Sequence, residues 1–552
     1  MKDELKSLYL AICLSLVAIY GVNILFGNNN ISIEQIEAQK IEEELNNIAS
    51  NDKNTEVKKD EIIEEKRINI DNGTVKGTLR LNGSRFDNLL LEKYNQTLWE
   101  DSKKIELFAP NKTENPYFAE LGWLSLDKAI KLPNSNSLWE TNDNLISKEK
   151  PAVLVWKNDK GIKIIRKINV DENYLFTITD SIENLSGEDV DLFPYALISR
   201  DVKNMEQNRS VVHEGMSAVI NGTLKEIKYS DIDNGDSETF ETKGGWVGFA
   251  DRYWFSALIT PDNATNKVTL KNNNDTNYQV DYLGNRIIIP NGEAISYTYR
   301  FYAGAKEIKL LDKCTKENNI PKFDLAVDFG WYYFLTKPFF YILDFLYGFL
   351  GNMGWAILLF AAILRLLMFP IANKSFVNMA KMKVLQPKLL EIKEKYGDNQ
   401  MLIQQATMEL YKKEKINPAS GCLPMLIQIP VFFSLYKVLN IAIEIRHAPF
   451  IGWIKDLSAP DPLTLSKMLH IPLFSFMDIG VWPILMGVTM WVQQKLNPAP
   501  VNKDQALMFL LMPIFFTFML GHFASGLVIY WTLSNILSII QQKVIMYKNG
   551  AN

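Results

Sequence analysis

Arg365 is the residue whose type and place promise most. It follows the charge-free run Phe345–Leu364 and stands five residues before Pro370. A charge inside a membrane span costs several kcal/mol, so it usually faces a wet interior or a partner. Near a span's end its long stem can instead snorkel to the head groups. Both readings stand at this level. The other charge-free windows contain no acid to pair with it. An inward-facing Arg365 would therefore meet water, backbone or a bound group, which is electrostatic capture rather than bond chemistry. Covalent chemistry finds no support. The chain has no GxSxG, HExxH, CxxC or phosphate loop. His213 is the only histidine before residue 330, and Cys314 is the lone cysteine of the polar part. Three scattered cysteines make no disulfide scaffold. No catalytic residue, metal-ligand set or cofactor is expected.

What must position Arg365 follows from a split in the 552 residues. From Trp331 onward there are 19 Lys and Arg against 11 Asp and Glu, a net of +8, with 15 of the 18 Met. The first 330 residues carry a net of −12. A wholly soluble enzyme and a disordered chain are both excluded by this pattern. The overall net charge of −4 gives no reason to expect sequence-specific nucleic-acid binding. A helix needs about 20 mostly apolar residues to cross a bilayer. The windows Ser7–Ile33, Phe345–Leu364, Ile416–Tyr436, Ile479–Gln494 and Gln505–Gln542 carry no charge, and the last is long enough for two crossings around Gly521–Gly526. Six spans result, one alone and five close together. Cys13 invites a lipid-anchor reading, but Ile12 stands where a small residue is wanted, so residues 1–30 read as an uncleaved signal anchor. Residues 372–417 hold nine Lys, while 442–478 hold only Arg446, Lys455 and Lys467. The Lys-rich loop is therefore cytoplasmic, both termini are inside and the large polar part is outside.

The polar part opens with an acidic, aromatic-free linker, 31–67. Strand signals follow in 68–320: Thr74–Leu81, Ala152–Trp156 and Ile162–Ile168 around Asn158-Asp159-Lys160-Gly161, then Lys267–Leu270, Tyr278–Tyr282, Arg286–Ile289 and Ile295–Phe301. These predict an antiparallel β-sandwich that binds or spaces. Residues 321–344, rich in Trp and Tyr, predict an interfacial helix. Spans are expected at 345–370, 417–441, 479–495, 506–522 and 526–546, with an outer loop 442–478, an inner loop 496–505 and a short tail 547–552. In the loop 371–416, Met382, Leu385, Leu389, Ile392 and Tyr396 recur at spacings of 3 and 4, Gly397-Asp398-Asn399 breaks the run, and Ile403, Ala406 and Leu410 resume it. That predicts a helical hairpin packed as a short coiled coil.

The chain resembles the YidC membrane protein insertases, in the Gram-negative form with a large periplasmic domain. The resemblance is sharpest at Arg365 with Phe369-Pro370, at Met379–Lys388, at Glu414–Pro418 and at Gly421–Pro430. Ala448-Pro449-Phe450, Trp453–Ser458, Pro483–Met490 and Ser525–Trp531 extend it. It implies a five-span core enclosing a groove open to cytoplasm and lipid, in a cell inner membrane. Lining carried over residue by residue is Arg365, Gln428, Met425, Phe432, Phe433, Met508, Tyr530 and Trp531. Arg365 would attract acidic client segments and keep water at membrane depth, and the client's apolar segment would slide past the Met and Phe side chains into lipid. Partners implied are nascent membrane proteins, the Sec translocon, targeting factors, ribosomes and the bilayer. Only nine residues follow Lys543, so no long basic ribosome-binding tail is expected. Competing classes are an assembly scaffold with a binding sandwich and a solute transporter. Neither paired repeats nor intramembrane acids, the marks of a transporter, are seen.

Overall fold

The computed structural model describes residues 40–41, 44–45, 65–111, 113–203, 212–274, 276–397, 399–417, 423–470, 478–498 and 503–550. The expected signal anchor lies outside the described residues, as does most of the linker.

Alternating patterns between Arg67 and Ala305 build two facing sheets. One orders Ser237–Thr242, Asn266–Asn274, Asn277–Leu283, Val190–Asp201, Tyr117–Leu124, Arg85–Asn95, Val75–Arg80, Arg67–Asp71 and Leu145–Ile146. The other orders Thr223–Lys228, Gly215–Ile220, Gly245–Ala250, Trp254–Ile259, Ala294–Ala305, Leu175–Asn184, Ile162–Val170 and Ala152–Lys157. The expected hairpin forms with Ala152 opposite Ile168. Gly161 turns it at φ +85°, where a Cβ would stand 2.3 Å from the Leu185 carbonyl oxygen. One pair departs from the antiparallel expectation: Arg67–Asp71 runs parallel to Leu145–Ile146.

The linker reading needs correction where it is described. Ile41 and Leu45, helical and four apart, are buried against Phe118, Leu124, Tyr195, Leu197 and Leu283. An i, i+4 apolar pair makes one helical face, and that face covers the back of a sheet. Tyr117–Leu124 is consequently buried at every position.

Among the ion pairs inside the sandwich, two are almost wholly enclosed. Arg85 meets Glu120 at 2.6 Å, and Arg166 meets Asp180 at 2.8 Å, all four side chains at most 2% exposed. Asp180 also accepts from Trp123 Nε1 at 2.8 Å. Removing one partner of such a pair strands a buried charge and costs about 3–5 kcal/mol. Asp180→Ala is therefore expected to lower the sandwich's melting temperature by several degrees, about 2–4 °C per kcal/mol at this domain size. Melting of the full chain at the wild-type temperature would refute it.

Helix α1, Ile308–Glu317, ends the β-rich part, and α2, Tyr333–Leu350, follows. The polar face of α2 is strapped to it. Lys337 Nζ donates to Asp312 and Asp324, each at 2.7 Å, and to the Tyr333 hydroxyl at 3.0 Å. Burial opposes the Lys337 charge, but these oxygens outweigh it and hold its pKa above the ordinary lysine value. Across from the buried residues Thr336, Phe339, Leu343 and Leu346, α2 presents Phe334, Ile342, Phe345 and Phe349, all exposed.

The helical half departs from the charge-counted spans. Residues 345–370 are not one helix. Gly351, in the left-handed region at φ +68°, closes α2, and Asn352 caps α3, Met353–Leu367, by accepting from Trp355 N at 3.1 Å. The helix expected over 321–344 thus runs from Tyr333 to Leu350. α4, Phe369–Val384, begins at Pro370 and bends from α3 by 66°. The hairpin is three helices, not two: α4, α5 (Gln386–Tyr396) and α6 (Gln400–Lys413). Pro387 in the first turn of α5 lacks an N–H and breaks the run at Leu385. α7 (Leu423–Ile441), α8 (Val481–Leu496), α9 (Lys503–Leu520) and α10 (Ser525–Lys548) follow, with a single helical turn, Leu465–Leu469, between α7 and α8. Among the described residues no single helix is long and apolar enough to cross a membrane, while α3 and α4 are so together.

Glu444, just past α7, sits where the two halves meet. Its Oε1 accepts from Ile308 N at 3.3 Å, and its Oε2 is buried without a partner. Nearby Glu307 accepts from the Tyr94 and Tyr174 hydroxyls. Burial, then the neighbouring Glu307 and Asp344, pushes the Glu444 pKa up to about 7 from its usual 4.5. The folded state therefore keeps a proton that the unfolded state loses. This stabilisation is full below pH 4.5 and is lost as pH rises to about 7. Glu444→Gln is expected to remove that fall and to exceed wild-type stability at pH 8 by roughly 3 kcal/mol. Thermal melts of the full chain at pH 5 and pH 8 check it, and identical pH dependence in the two proteins would refute it.

Candidate functional site

α10 is the spine of the helical half. It packs on α3, α4, α7 and α8, while α9 packs chiefly on α8 and α7 chiefly on α2. The interval between α7 and α9 is filled from behind by α10. Trp531 of α10 stands there, its ring 4.8 Å from Phe432 of α7 and 6.0 Å from Phe516 of α9. Phe433 and Met508 point outward and are about half exposed, at 48% and 57%.

One turn along α7, Gln428 Nε2 donates to the Tyr530 hydroxyl at 3.0 Å. The same phenol interacts electrostatically with Arg365. The Arg365 guanidinium lies 5.8 Å from the Phe376 ring centroid, on the far side of the α3–α4 bend. It is half-buried, and its Nε is buried with no hydrogen-bond partner. Among the described residues it has no ion pair. Unpartnered among the described residues, a buried N–H of this kind is open to water or a bound group.

Expected residues and observed neighbours agree in part. Gln428 and Tyr530 touch, and so do Phe432 and Trp531. Met425 belongs to α7, but its side chain lies outside the described ones. The methionine flavour divides: Met486 is wholly buried filler, whereas Met508 and Met519 are exposed. Sequence reasoning missed a polar stripe on α10. Thr532, Asn535, Ser538, Gln541 and Gln542 are all buried along α10. Asn535 Nδ2 donates to Thr489 Oγ1 at 3.1 Å, while the Oε1 atoms of Gln541 and Gln542 have no partner. Spacing of 3 and 4 residues is the signal that would have found the stripe.

The hairpin packs only at its base. Leu385 and Leu389 are buried with Tyr411 and Ile416, flanked by Met382, Ile392 and Leu410. Lys388 pairs with Glu414 at 3.1 Å across the same base. Tyr396, expected in the seam, is instead half-buried near the tip with Lys395 over its ring at 5.4 Å. Leu390, Met401 and Met408 stay exposed.

A family model described as the YidC periplasmic domain matches residues 67–342, and one described as 60Kd inner membrane protein matches residues 345–551. The membrane protein insertase YidC of Rickettsia bellii is 44% identical over 552 residues, covering 98% of this chain and 99% of its own. That of Rickettsia felis is 47% identical over 485 residues, covering 86% of each. A crystal structure of an active YidC insertase with its first transmembrane domain resolved aligns with a TM-score of 0.36 and 20% identity, over 86% of this chain and 92% of that one. A β-rich periplasmic domain joined to this helical half makes the molecule a membrane protein insertase. The chain belongs to the YidC family.

Proposed function

We propose that the interval between α7 and α9, floored by α10, is the groove through which clients enter the bilayer. The observation that carries it is Arg365: a half-buried cation with an unpartnered, buried Nε, beside a polar stripe on the next helix. A fixed cation in a poorly screened cleft attracts acidic client segments. Water held there lowers the cost of moving a short polar tail partway across. The client's apolar segment then leaves past Phe433 and Met508 into lipid, driven by its own burial. The hairpin, with Leu390 and Met401 exposed, receives the client on the cytoplasmic side. Nine Lys in 372–417 support that orientation. The six spans, the interfacial seat of α2, and the Sec translocon, targeting factors and ribosomes as partners belong to the same proposal, supported by the charge pattern and the family. A photo-crosslinker at Phe433 or Met508, in liposomes taking up a single-span client, tests the route. Capture of the client's apolar segment is expected, and capture elsewhere alone would overturn it.

The β-rich domain has no part in this step. Deleting residues 68–300 while keeping α1 and α2 is expected to leave more than about half of the insertion rate, because Asp312 and Asp324 still hold Lys337. A stably folded deletion variant with no insertion would show that the sandwich is required.

A further inference from the structure

A cavity of about 860 Å³ lies where the sandwich, the connector before α2 and the outer end of α7 meet. It shares Phe433 with the proposed groove but faces the other body. One wall is Thr223–Lys228, the edge strand of its sheet. Side chains alternate along a strand, so Leu224, Glu226 and Lys228 share the face turned to the cavity, and all three line it. Among the described residues neither the Glu226 carboxylate nor the Lys228 ammonium has a hydrogen bond or ion pair. The floor is closed by charges already satisfied. Lys437 of α7 pairs with Asp328 at 2.6 Å, and Asp328 also accepts from His213 N at 3.1 Å. The opposite side is aromatic, with Trp331, Tyr332 and Tyr436. Trp331 is 98% exposed and Phe334, next along, is also exposed.

We propose that this cavity holds the head group of a zwitterionic phospholipid, with the phosphate on Lys228 and the ammonium on Glu226. The charges decide the class. Glu226 and Lys228, two residues apart on one strand face and roughly 7 Å apart along it, offer an anion and a cation, and the Asp231 carboxylate beside them, which accepts from Lys228 N at 3.3 Å and Ser230 Oγ at 3.1 Å, adds negative charge that an anionic head group would oppose. The aromatic side decides the source. Trp and Tyr favour the head-group layer, and an almost fully exposed Trp331 beside Phe334 gives acyl chains an apolar way out of the cavity. A peptide strand pairing with the free edge of Thr223–Lys228 is the competing occupant, and it would leave the apolar exit at Trp331 and Phe334 unused.

The test uses the full-length protein in nanodiscs of mixed phosphatidylethanolamine and phosphatidylglycerol, followed by stepwise delipidation and native mass spectrometry. The wild type is expected to retain one phosphatidylethanolamine in preference to phosphatidylglycerol. Glu226→Gln with Lys228→Gln is expected to lower that retention about tenfold, and Glu226→Gln alone to abolish the preference, retaining both lipids equally. Retention unchanged in the double variant would overturn the proposal, as would equal retention of both lipids by the wild type. A photo-crosslinker at Leu224 that captures a client's translocated segment instead of lipid would also overturn it and assign the cavity to clients. Both substituted positions are solvent-facing on an edge strand, so circular dichroism should be unchanged and a folding defect will not mimic the result.

Discussion

Arg365→Ala is expected to slow insertion of clients with acidic translocated segments by about tenfold or more, while clients with neutral segments lose far less. The scale follows from one charge pair in a cleft of intermediate dielectric, a few kcal/mol at contact. The contrast between clients matters more than the size, because a merely structural arginine would affect both alike. Arg365→Lys should keep most of the activity, since the charge persists although the guanidinium's planar contact with Phe376 at 5.8 Å is lost. Liposome insertion with paired clients differing only in the acidity of the translocated segment measures this. Equal rates for Arg365→Ala and wild type on the acidic client would return Arg365 to the role of a head-group anchor.

Leu385→Asp combined with Leu389→Asp is expected to be the most disruptive change in the cytoplasmic hairpin. Both side chains are at most 7% exposed, in a cluster of four that joins α5 to α6. Two unpaired carboxylates there cost several kcal/mol, more than the base contacts return. The hairpin should open, become cleavable between residues 385 and 416, and lose about tenfold in client insertion, with the other helices intact. Limited proteolysis beside the insertion assay checks it. Protection equal to wild type would mean that the base cluster does not hold the hairpin.

Much of this was readable in the chain, and the failures have physical causes. Charge-free windows located the helices of the second half, because burial in lipid forbids charge whatever the backbone does. They missed the break at Gly351 for the same reason: counting charges is blind to φ. The signal was nevertheless present, since Gly after a helix and Asn before the next are cap residues. Alternation found strands with one wet face such as Ala152–Lys157 and Ile162–Val170, although it passed over Leu175–Asn184. Tyr117–Leu124 escaped it, because Ile41 and Leu45 cover its second face and erase the period. The pairing of Arg85 with Glu120, 35 residues apart, has no local signature. At the site, Arg365 stood out by type alone. The α10 stripe did not, because Thr, Ser and Gln are each unremarkable until plotted at 3.6 residues per turn.

The strap at Lys337 has a mechanical meaning. Once the aromatic ridge of α2 is seated in lipid, the sandwich cannot rock freely, because tilting it would lever Phe334, Phe345 and Phe349 out of the bilayer. Each large side chain so withdrawn costs roughly 1.5–3 kcal/mol, several times thermal energy, and the load passes through Lys337 to Asp312 and Asp324 and through Asp344 to Lys309. The β-rich body then behaves as a bracketed ceiling at fixed height rather than a swinging arm. On the proposed route, a segment emerging beneath it would meet a gap of constant clearance, set by the body above and not by any side chain of the groove.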